Sequence, residues 1–299
     1  MEVMLLFMIA ILILLPAIFL IMLSKTSYQS KFEWLLNALL TTILIVWLFQ
    51  TGNWSWVGYY FRYLLLAILI LVVIVSWRKV RGLPFKITYT RSQKFSLSFT
   101  ALLIAVFSVY NILVFTSYST DDEAIELSFP LKEGTYYIGQ GGNHTQMNYH
   151  HAYEPQQYAL DILKMNKLGF RAKGLSPKEL EKYQIYEDNV YSPCHGTVVE
   201  TESDLPDLIP PETDAENATG NHVALSCENT DAIIYIAHML QDSVKVKKGD
   251  TVTEGQEIGK VGNTGNTTEP HLHIHAEKDG VGIPIRFNDR FLVRNNVVR

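Results

Sequence analysis

Three histidines alternate near the C-terminus of the chain, in residues 270–275 (PHLHIH). Alternate residues of a β-strand share one face, so His271, His273 and His275 would point to the same side of a strand. A row of imidazoles gives a strand no packing advantage, but imidazoles bind metal ions and transfer protons near neutral pH. The spacing therefore favours a metal or proton-transfer site over a polar strand face with incidental histidines.

A metal ion on this strand needs ligands from elsewhere in the chain. A hydrolytic zinc site usually has three protein ligands and one open position, which neighbours on one strand rarely supply alone. Residues 148–162 offer His150, His151 and, further on, Asp161. Asp161 lies between apolar residues in a predicted strand, residues 158–163, where a carboxylate needs a partner. The alternative for Asp161 is a locally satisfied edge acid or helix cap.

Residues 262–273 (GNTGNTTEPHLH) closely resemble the signature of LytM/lysostaphin-type zinc metallopeptidases. Residues 235–239 (YIAHM) and 246–261 resemble a further motif and a hairpin of the same family, and residues 158–161 (YALD) resemble the segment with its aspartate ligand. The resemblance covers roughly residues 136–277, with the motifs in the family's order. It implies a β-sheet peptidase domain with a groove, which cleaves peptide cross-links in bacterial peptidoglycan.

The resemblance implies that a Zn²⁺ ion is held by Asp161, His273 and one histidine that precedes Asp161. The commonest form of the family has this histidine in a His-x-x-x-Asp pattern, but the equivalent residue here is Gln157. A subgroup with Asn-x-His before the aspartate strand is similar to this chain. That similarity favours His150 over His151 as the third ligand.

The two remaining family histidines match His238 and His271, so the resemblance implies that these are the catalytic residues. Zinc lowers the pKa of a bound water to about 7, and attack on an amide also needs a proton acceptor and a stabilised oxyanion. We expect His271 to accept the proton of the water, and His238 to stabilise the oxyanion or to orient the water. The resemblance gives His275 no role, and we expect it beside the site or at its rim.

Two functions stay open at this stage. The first is an active zinc metalloendopeptidase that hydrolyses peptide bonds of cell-wall peptidoglycan. The second is a catalytically inactive peptidase-fold module that binds the cell wall or regulates a partner hydrolase. Gln157 favours the second function, whereas the retained aspartate and histidines of the motifs favour the first.

After Ser119, short apolar runs separated by Gly, Pro, Asn and Asp predict an all-β domain with a sandwich or barrel-like architecture. The candidate strands are residues 196–200, 221–226, 232–238, 257–261 and 271–276. Residues 176–179 (SPKE) place an N-cap serine, a first-turn proline and a capping-box glutamate in order, which predicts a helix. Residues 200–220 are acidic and contain three prolines, which indicates a surface loop.

Four apolar runs precede this domain, at about residues 4–23, 34–50, 60–77 and 95–116. A membrane helix needs about 20 mostly apolar residues. Buried core helices are a weaker interpretation, because four such runs in succession leave no amphipathic partner to cover them. We therefore expect a membrane domain of four transmembrane helices at residues 1–117 and a polar peptidase domain at residues 118–299.

Basic loops orient the expected membrane helices. Residues 78–94 contain six basic side chains and no acidic one, which assigns this loop to the cytoplasm and the polar domain to the outside of the cell membrane. The polar domain has sixteen Lys and Arg against twenty-eight Asp and Glu, which argues against nucleic-acid binding. The expected partners are peptidoglycan peptides and the lipid membrane. Outside the cell, Cys194 and Cys227 could form a disulfide or remain separate thiols.

Overall fold

A computed structural model describes residues 2–299 of the chain, with side chains from Leu6 onward. The chain divides into two compact units, Glu2–Phe115 and Thr116–Arg299. The first is helical and the second is mostly β. This agrees with the fold class predicted from the sequence.

The helical unit contains helices that are long and apolar enough to cross a membrane. They run over Leu6–Lys25, Lys31–Thr51, Phe61–Val80 and Arg91–Thr116. The helices are α1 (Glu2–Ile9), which continues through a π-helical segment (Ala10–Leu14) into α2 (Leu15–Lys25), then α3 (Lys31–Thr51), α4 (Phe61–Val80) and α5 (Arg91–Thr116). The four predicted apolar helices are therefore confirmed.

Polar side chains join these helices to one another. The indole of Trp34 donates to the Ser76 hydroxyl at 3.0 Å, and the amide of Gln50 donates to the Asn111 side chain at 3.1 Å. Many apolar side chains instead point outward, among them Phe95, which is 76% exposed. Buried polar contacts with an apolar exterior are typical of helix packing in lipid.

The second unit is built from β-strands joined by long loops. The strands are β1 (Ile125–Leu127), β2 (Thr135–Gln140), β3 (Leu160–Met165), β4 (Asn189–Tyr191), β5 (Gly196–Glu202), β6 (Asn221–Cys227), β7 (Ile233–Met239), β8 (Thr251–Val252), β9 (Glu257–Lys260), β10 (Leu272–Lys278), β11 (Val281–Ile283), β12 (Ile285–Phe287), β13 (Arg290–Phe291) and β14 (Val297–Val298). The main sheet has the order β14-β2-β3-β10-β7-β6-β5-β8, with β11 paired to β10, and all of its pairings are antiparallel. Two small sheets, β1-β12-β13 and β4-β9, complete the unit.

One face of the main sheet carries the apolar core. In the central pair, Leu272 of β10 lies opposite Ile162 of β3, and Ile274 lies opposite Leu160. All four are buried in one cluster with side chains from the two small sheets, such as Leu127, Val190, Ile258, Ile285 and Phe287. Because side chains alternate along a strand, the intervening residues of β3 and β10 must lie on the opposite face.

The predicted strands at residues 158–163, 196–200, 221–226, 232–238, 257–261 and 271–276 are confirmed as β3, β5, β6, β7, β9 and β10. The acidic stretch after β5 is a loop, also as predicted. The structure joins Cys194 to Cys227 in a disulfide, which settles the open question of their pairing. Gly196 lies opposite Cys227, so this bond ties the beginning of β5 to the end of β6.

The prediction of a helix that begins at residues 176–179 is wrong. The structure has a single 3₁₀ turn just after it, at Leu180–Lys182. The N–H of Lys173 donates to the carbonyl of Lys182, and the N–H of Gln184 donates to the carbonyl of Arg171. The two ends of the segment at residues 171–184 thus hydrogen-bond to each other through their backbone groups. This pairing overrides the local capping signals.

Candidate metal centre

The register between β3 and β10 brings the predicted aspartate and histidine together. His273 lies directly opposite Asp161 on β3 and opposite Ala237 on β7. Cross-strand neighbours share a face of the sheet, and this is the face away from the apolar core. His271, just before β10, and His275, two residues further along it, contribute to the same face.

Asp161 is the centre of the cluster. Nε2 of His150 and Nδ1 of His273 each lie 3.0 Å from Oδ1 of Asp161, and Nε2 of His271 lies 3.4 Å from it. Burial raises the pKa of the Asp161 carboxyl, but His150 and His271 outweigh burial and hold the pKa well below its usual range. The carboxylate is therefore a buried anion that attracts positive charge.

A 3₁₀ turn, Tyr149–Ala152, presents His150 to this carboxylate. Asn148 begins the turn, and its side-chain oxygen accepts the N–H of His150. Asn148 is completely buried, and its amide nitrogen donates to the carbonyls of Gly142, Gln157 and Ala159. One asparagine thus fixes the turn to the residues that lead into β3.

The neighbouring histidine and the glutamine in the family's usual ligand position both point elsewhere. His151 is half-buried, and its Nδ1 lies 3.4 Å from the carbonyl of Gln157. The side-chain amide of Gln157 donates to the carbonyl of Gly282. The structure therefore brings His150, and neither of these residues, into contact with Asp161.

The cluster fits a metal ion. One ligand atom each from His150, Asp161 and His273 lie within 4.8 Å of one another, as do those of a second group, His238, His271 and His273. Ligand atoms of a tetrahedral zinc ion with bonds of about 2.0–2.1 Å are about 3.3 Å apart, close to the 3.0 Å separations around Asp161. The first group is favoured, because its buried carboxylate needs a cation.

His271 presents an unprotonated ring nitrogen to the site. Its Nδ1 lies 2.9 Å from the main-chain carbonyl of Glu269, which can only accept, so the proton of the neutral ring is on Nδ1. Nε2 is buried and has no hydrogen-bond partner among the described residues, apart from the longer approach to Asp161. Burial lowers the pKa of His271, but the Asp161 carboxylate outweighs burial and the pKa is raised. The ring is suited to accept a proton at Nε2.

His238, at the end of β7, has the same arrangement. Its Nδ1 lies 2.9 Å from the carbonyl of Thr264, so Nε2 is again the acceptor. Burial, followed by the nearby His271 and His273, lowers the pKa of His238 well below its usual range, which keeps the ring neutral. Its backbone has φ of 61°, an unusual value for a non-glycine residue that is often found at functional sites.

Two glycines allow the loop after β9 to support His238. Gly265 has φ of +85°, and a Cβ atom there would lie 2.5 Å from the backbone nitrogen of Gly220. Gly220 has φ of +63°, and its own Cβ would lie 2.3 Å from the carbonyl oxygen of Thr264. The two backbones pack directly on each other, which sets the carbonyl of Thr264 against the His238 ring.

A cavity of about 140 Å³ opens over the cluster, lined by His150, His238, His273, His275 and Tyr149 among others. The ring of Tyr149 lies 4.0 Å from that of His150, centroid to centroid. The Asp161 carboxylate, followed by burial, raises the pKa of Tyr149, so its phenol stays a hydrogen-bond donor. Tyr149 was not predicted from the sequence, although its position beside His150 was a usable signal.

Comparison with known proteins bears on this geometry. Residues 183–284 match Peptidase family M23. These residues form an M23 peptidase domain. The match contains His238, His271 and His273 but begins after Asp161, so the first two residues of the favoured metal cluster lie upstream of it.

Individual proteins match different lengths of the chain, and each match covers less than half of the other protein. A 54-residue segment is 46% identical to the peptidoglycan DD-endopeptidase ShyA of Vibrio cholerae, and covers 18% of this chain and 12% of ShyA. A zinc-containing peptidase from V. cholerae is 19% identical over 54% of this chain and 39% of its own, with a TM-score of 0.32. Lysostaphin from Staphylococcus simulans is 24% identical over 47% and 42% of the two chains, with a TM-score of 0.29.

Proposed function

We propose that this protein is a membrane-anchored zinc metalloendopeptidase that hydrolyses peptide bonds in cell-wall peptidoglycan. The observation that carries the proposal is the convergence of His150, Asp161 and His273, with the acceptor nitrogens of His238 and His271 beside them. The M23 domain and the similarity of a short segment to a peptidoglycan endopeptidase support the choice of reaction and substrate.

Asp161, His150 and His273 would hold the zinc ion. Two neutral imidazoles and one carboxylate are a donor set typical of hydrolytic zinc sites. Zinc bound there would supply Lewis-acid chemistry, lowering the pKa of water and polarising the scissile carbonyl. Every other part of the mechanism comes from side chains of the chain itself.

His271 and His238 act on the attacking water. His271 accepts the proton of the water at Nε2 and passes it to the leaving amine. Its Nδ1–H is held by the main-chain carbonyl of Glu269, and its Nε2 has no hydrogen-bond partner among the described residues apart from the 3.4 Å approach to Asp161. His238 is neutral and also has an acceptor at Nε2, so it orients the water through the second O–H group. This tautomer does not suit donation to an oxyanion, the other role that the sequence left open for His238.

The helical unit anchors this chemistry at the cell membrane. Its four apolar helices have the length to span a bilayer. The basic loop at residues 78–94 favours the cytoplasm, which leaves the peptidase unit outside the cell, next to peptidoglycan. The orientation is tested in whole cells that express the protein with a single engineered free cysteine in this loop. We expect a membrane-impermeant maleimide to label this cysteine only after the cells are lysed.

The function is tested with the full-length protein in detergent micelles, loaded with zinc and incubated with peptidoglycan, with the released muropeptides identified by mass spectrometry. We expect peptide-bond cleavage that a chelator abolishes and zinc restores. His271→Gln should remove the activity, whereas His195→Gln, at an exposed histidine, should retain it. A wild-type protein with stoichiometric zinc that cleaves no peptidoglycan would refute the proposal and favour the inactive binding or regulatory module.

A further inference from the structure

His275 contacts the ring of His273 on the side away from the metal cluster. Nδ1 of His275 lies 2.9 Å from Nε2 of His273, while Nδ1 of His273 faces Asp161. Both rings are almost completely buried, His275 at 4% exposure and His273 at 3%. The two nitrogens of His273 thus meet different partners: Nδ1 meets Asp161 in the cluster, and Nε2 meets His275, the next residue on the same face of the same strand.

This hydrogen bond has two possible directions with different consequences. If His275 donates, Nε2 of His273 is the acceptor and the proton of the neutral His273 ring sits on Nδ1, where it would block metal binding. If His275 accepts, the proton sits on Nε2 and Nδ1 has its lone pair free. Ligand histidines in metal sites commonly donate their other N–H to a fixed acceptor, which sets the tautomer and the ring orientation.

The ring of His275 is itself held in place. It stacks on Tyr235 of β7, with centroids 4.9 Å apart and an interplanar angle of 10°. Tyr235 lies opposite His275 in the β7–β10 register, so the sheet keeps the two rings together. An acceptor with a fixed position can align a neighbouring ring, which a mobile side chain cannot do.

We propose that His275 is a positioning residue: its Nδ1 accepts a hydrogen bond from Nε2–H of His273 and so presents Nδ1 of His273 to the metal ion. The proposal rests on the zinc site of the proposed function, but assigns a role that the family resemblance does not give to His275. Simple packing on Tyr235 is the competing explanation, and a phenylalanine would satisfy packing equally well.

The test uses two substitutions in the full-length protein in micelles, with zinc affinity measured by competition with a chromophoric chelator. His275→Phe keeps an aromatic ring on Tyr235 but removes the acceptor. His275→Asn places a side-chain oxygen where Nδ1 was. We expect His275→Phe to weaken zinc binding by about 10–100-fold, and His275→Asn to stay within about threefold of wild type. The Co²⁺-substituted proteins should show the same contrast in their visible spectra.

Zinc affinity and spectra in His275→Phe that equal those of wild type would overturn the proposal. A second measurement does not depend on the stability of that variant. In the zinc-loaded wild type labelled with ¹⁵N-histidine, we expect Nδ1 of His275 to have the nitrogen shift of an unprotonated ring and Nε2 of His273 that of a protonated one; the reverse assignment would overturn the proposal. A wild-type protein that binds no zinc would instead refute the metalloendopeptidase itself.

Discussion

An ion pair between Arg171 and Glu269 holds the backbone group that orients His271. Nε of Arg171 lies 2.8 Å from both carboxylate oxygens of Glu269, and Nη2 lies 2.6 Å from Oε2. The side chains are 1% and 15% exposed, respectively. The main-chain carbonyl of the same Glu269 accepts both Nδ1–H of His271 and the hydroxyl of Thr267. Removing Arg171 should therefore affect both stability and catalysis.

The substitution Arg171→Met retains most of the apolar stem and removes the charge. Breaking a buried ion pair from one side costs about 3–5 kcal/mol, because the remaining charge is left without a partner. Since Glu269 retains some contact with solvent, we expect the lower end, about 3 kcal/mol. For a unit of this size, 1 kcal/mol corresponds to about 2–4 °C in Tm, so the peptidase unit should unfold about 6–12 °C lower.

The assay is calorimetric unfolding of the full-length protein, combined with kcat and KM on a peptidoglycan peptide. We expect Arg171→Met to lower kcat more than it changes KM, because the carbonyl that orients His271 loses its support. The double variant Arg171→Met, Glu269→Leu is the matched control, and should recover most of the lost stability because neither charge remains buried. A Tm shift below about 2 °C for Arg171→Met, or a double variant whose loss equals the sum of the two single losses, would refute this reasoning.

Three further predictions concern the same unit. His238→Asn should fold and retain zinc, since asparagine tolerates the positive φ, while hydrolysis falls by about 10²–10⁴-fold; wild-type turnover in this variant would exclude His238 from the mechanism. Cys194→Ser removes the disulfide between two residues that are 33 positions apart. It should lower the free energy of unfolding, measured by urea denaturation, by about 3–4 kcal/mol. Adding a reductant to this variant should cause no further loss of stability, and a further loss would contradict the pairing. Burial lowers the pKa of His238 and His275 well below 6.5 and that of His273 to about 4. Between pH 6.5 and about 4 the unfolded chain therefore binds protons that the folded chain does not. The zinc-free protein should lose up to about 1.4 kcal/mol of stability per pH unit for each histidine as the pH falls, and a flat profile in urea unfolding over this range would contradict the buried neutral rings.

Much of the site-bearing sheet could be predicted because its signals are local. The alternation around His273 and the apolar run around Asp161 each fix a strand and the face on which these side chains lie. Spacing alone could not choose between His150 and His151, since both lie in one 3₁₀ turn. The choice depends on how Asn148 attaches that turn to residues up to eleven positions away.

Other features depend on contacts that have no local signal. Arg171 and Glu269 are 98 residues apart, and neither lies in a segment whose composition predicts an ion pair. The prediction of a helix that begins at residues 176–179 failed for a similar reason. The backbone hydrogen bonds that Lys173 and Gln184 donate to the other side of the segment take the place of the bonds that a helix would have supplied. The acceptor nitrogen of His238 likewise depends on the main-chain carbonyl of Thr264, which is 26 residues away in the sequence.

Metal content tests the central claim most directly. Full-length wild type, His150→Ala and His151→Ala are purified in parallel, dialysed against trace zinc and analysed by mass spectrometry of the metal. The convergence of His150, Asp161 and His273 predicts about one zinc per chain in wild type and in His151→Ala, and none retained by His150→Ala. Zinc retained by His150→Ala at the wild-type level, or lost from His151→Ala, would contradict the account.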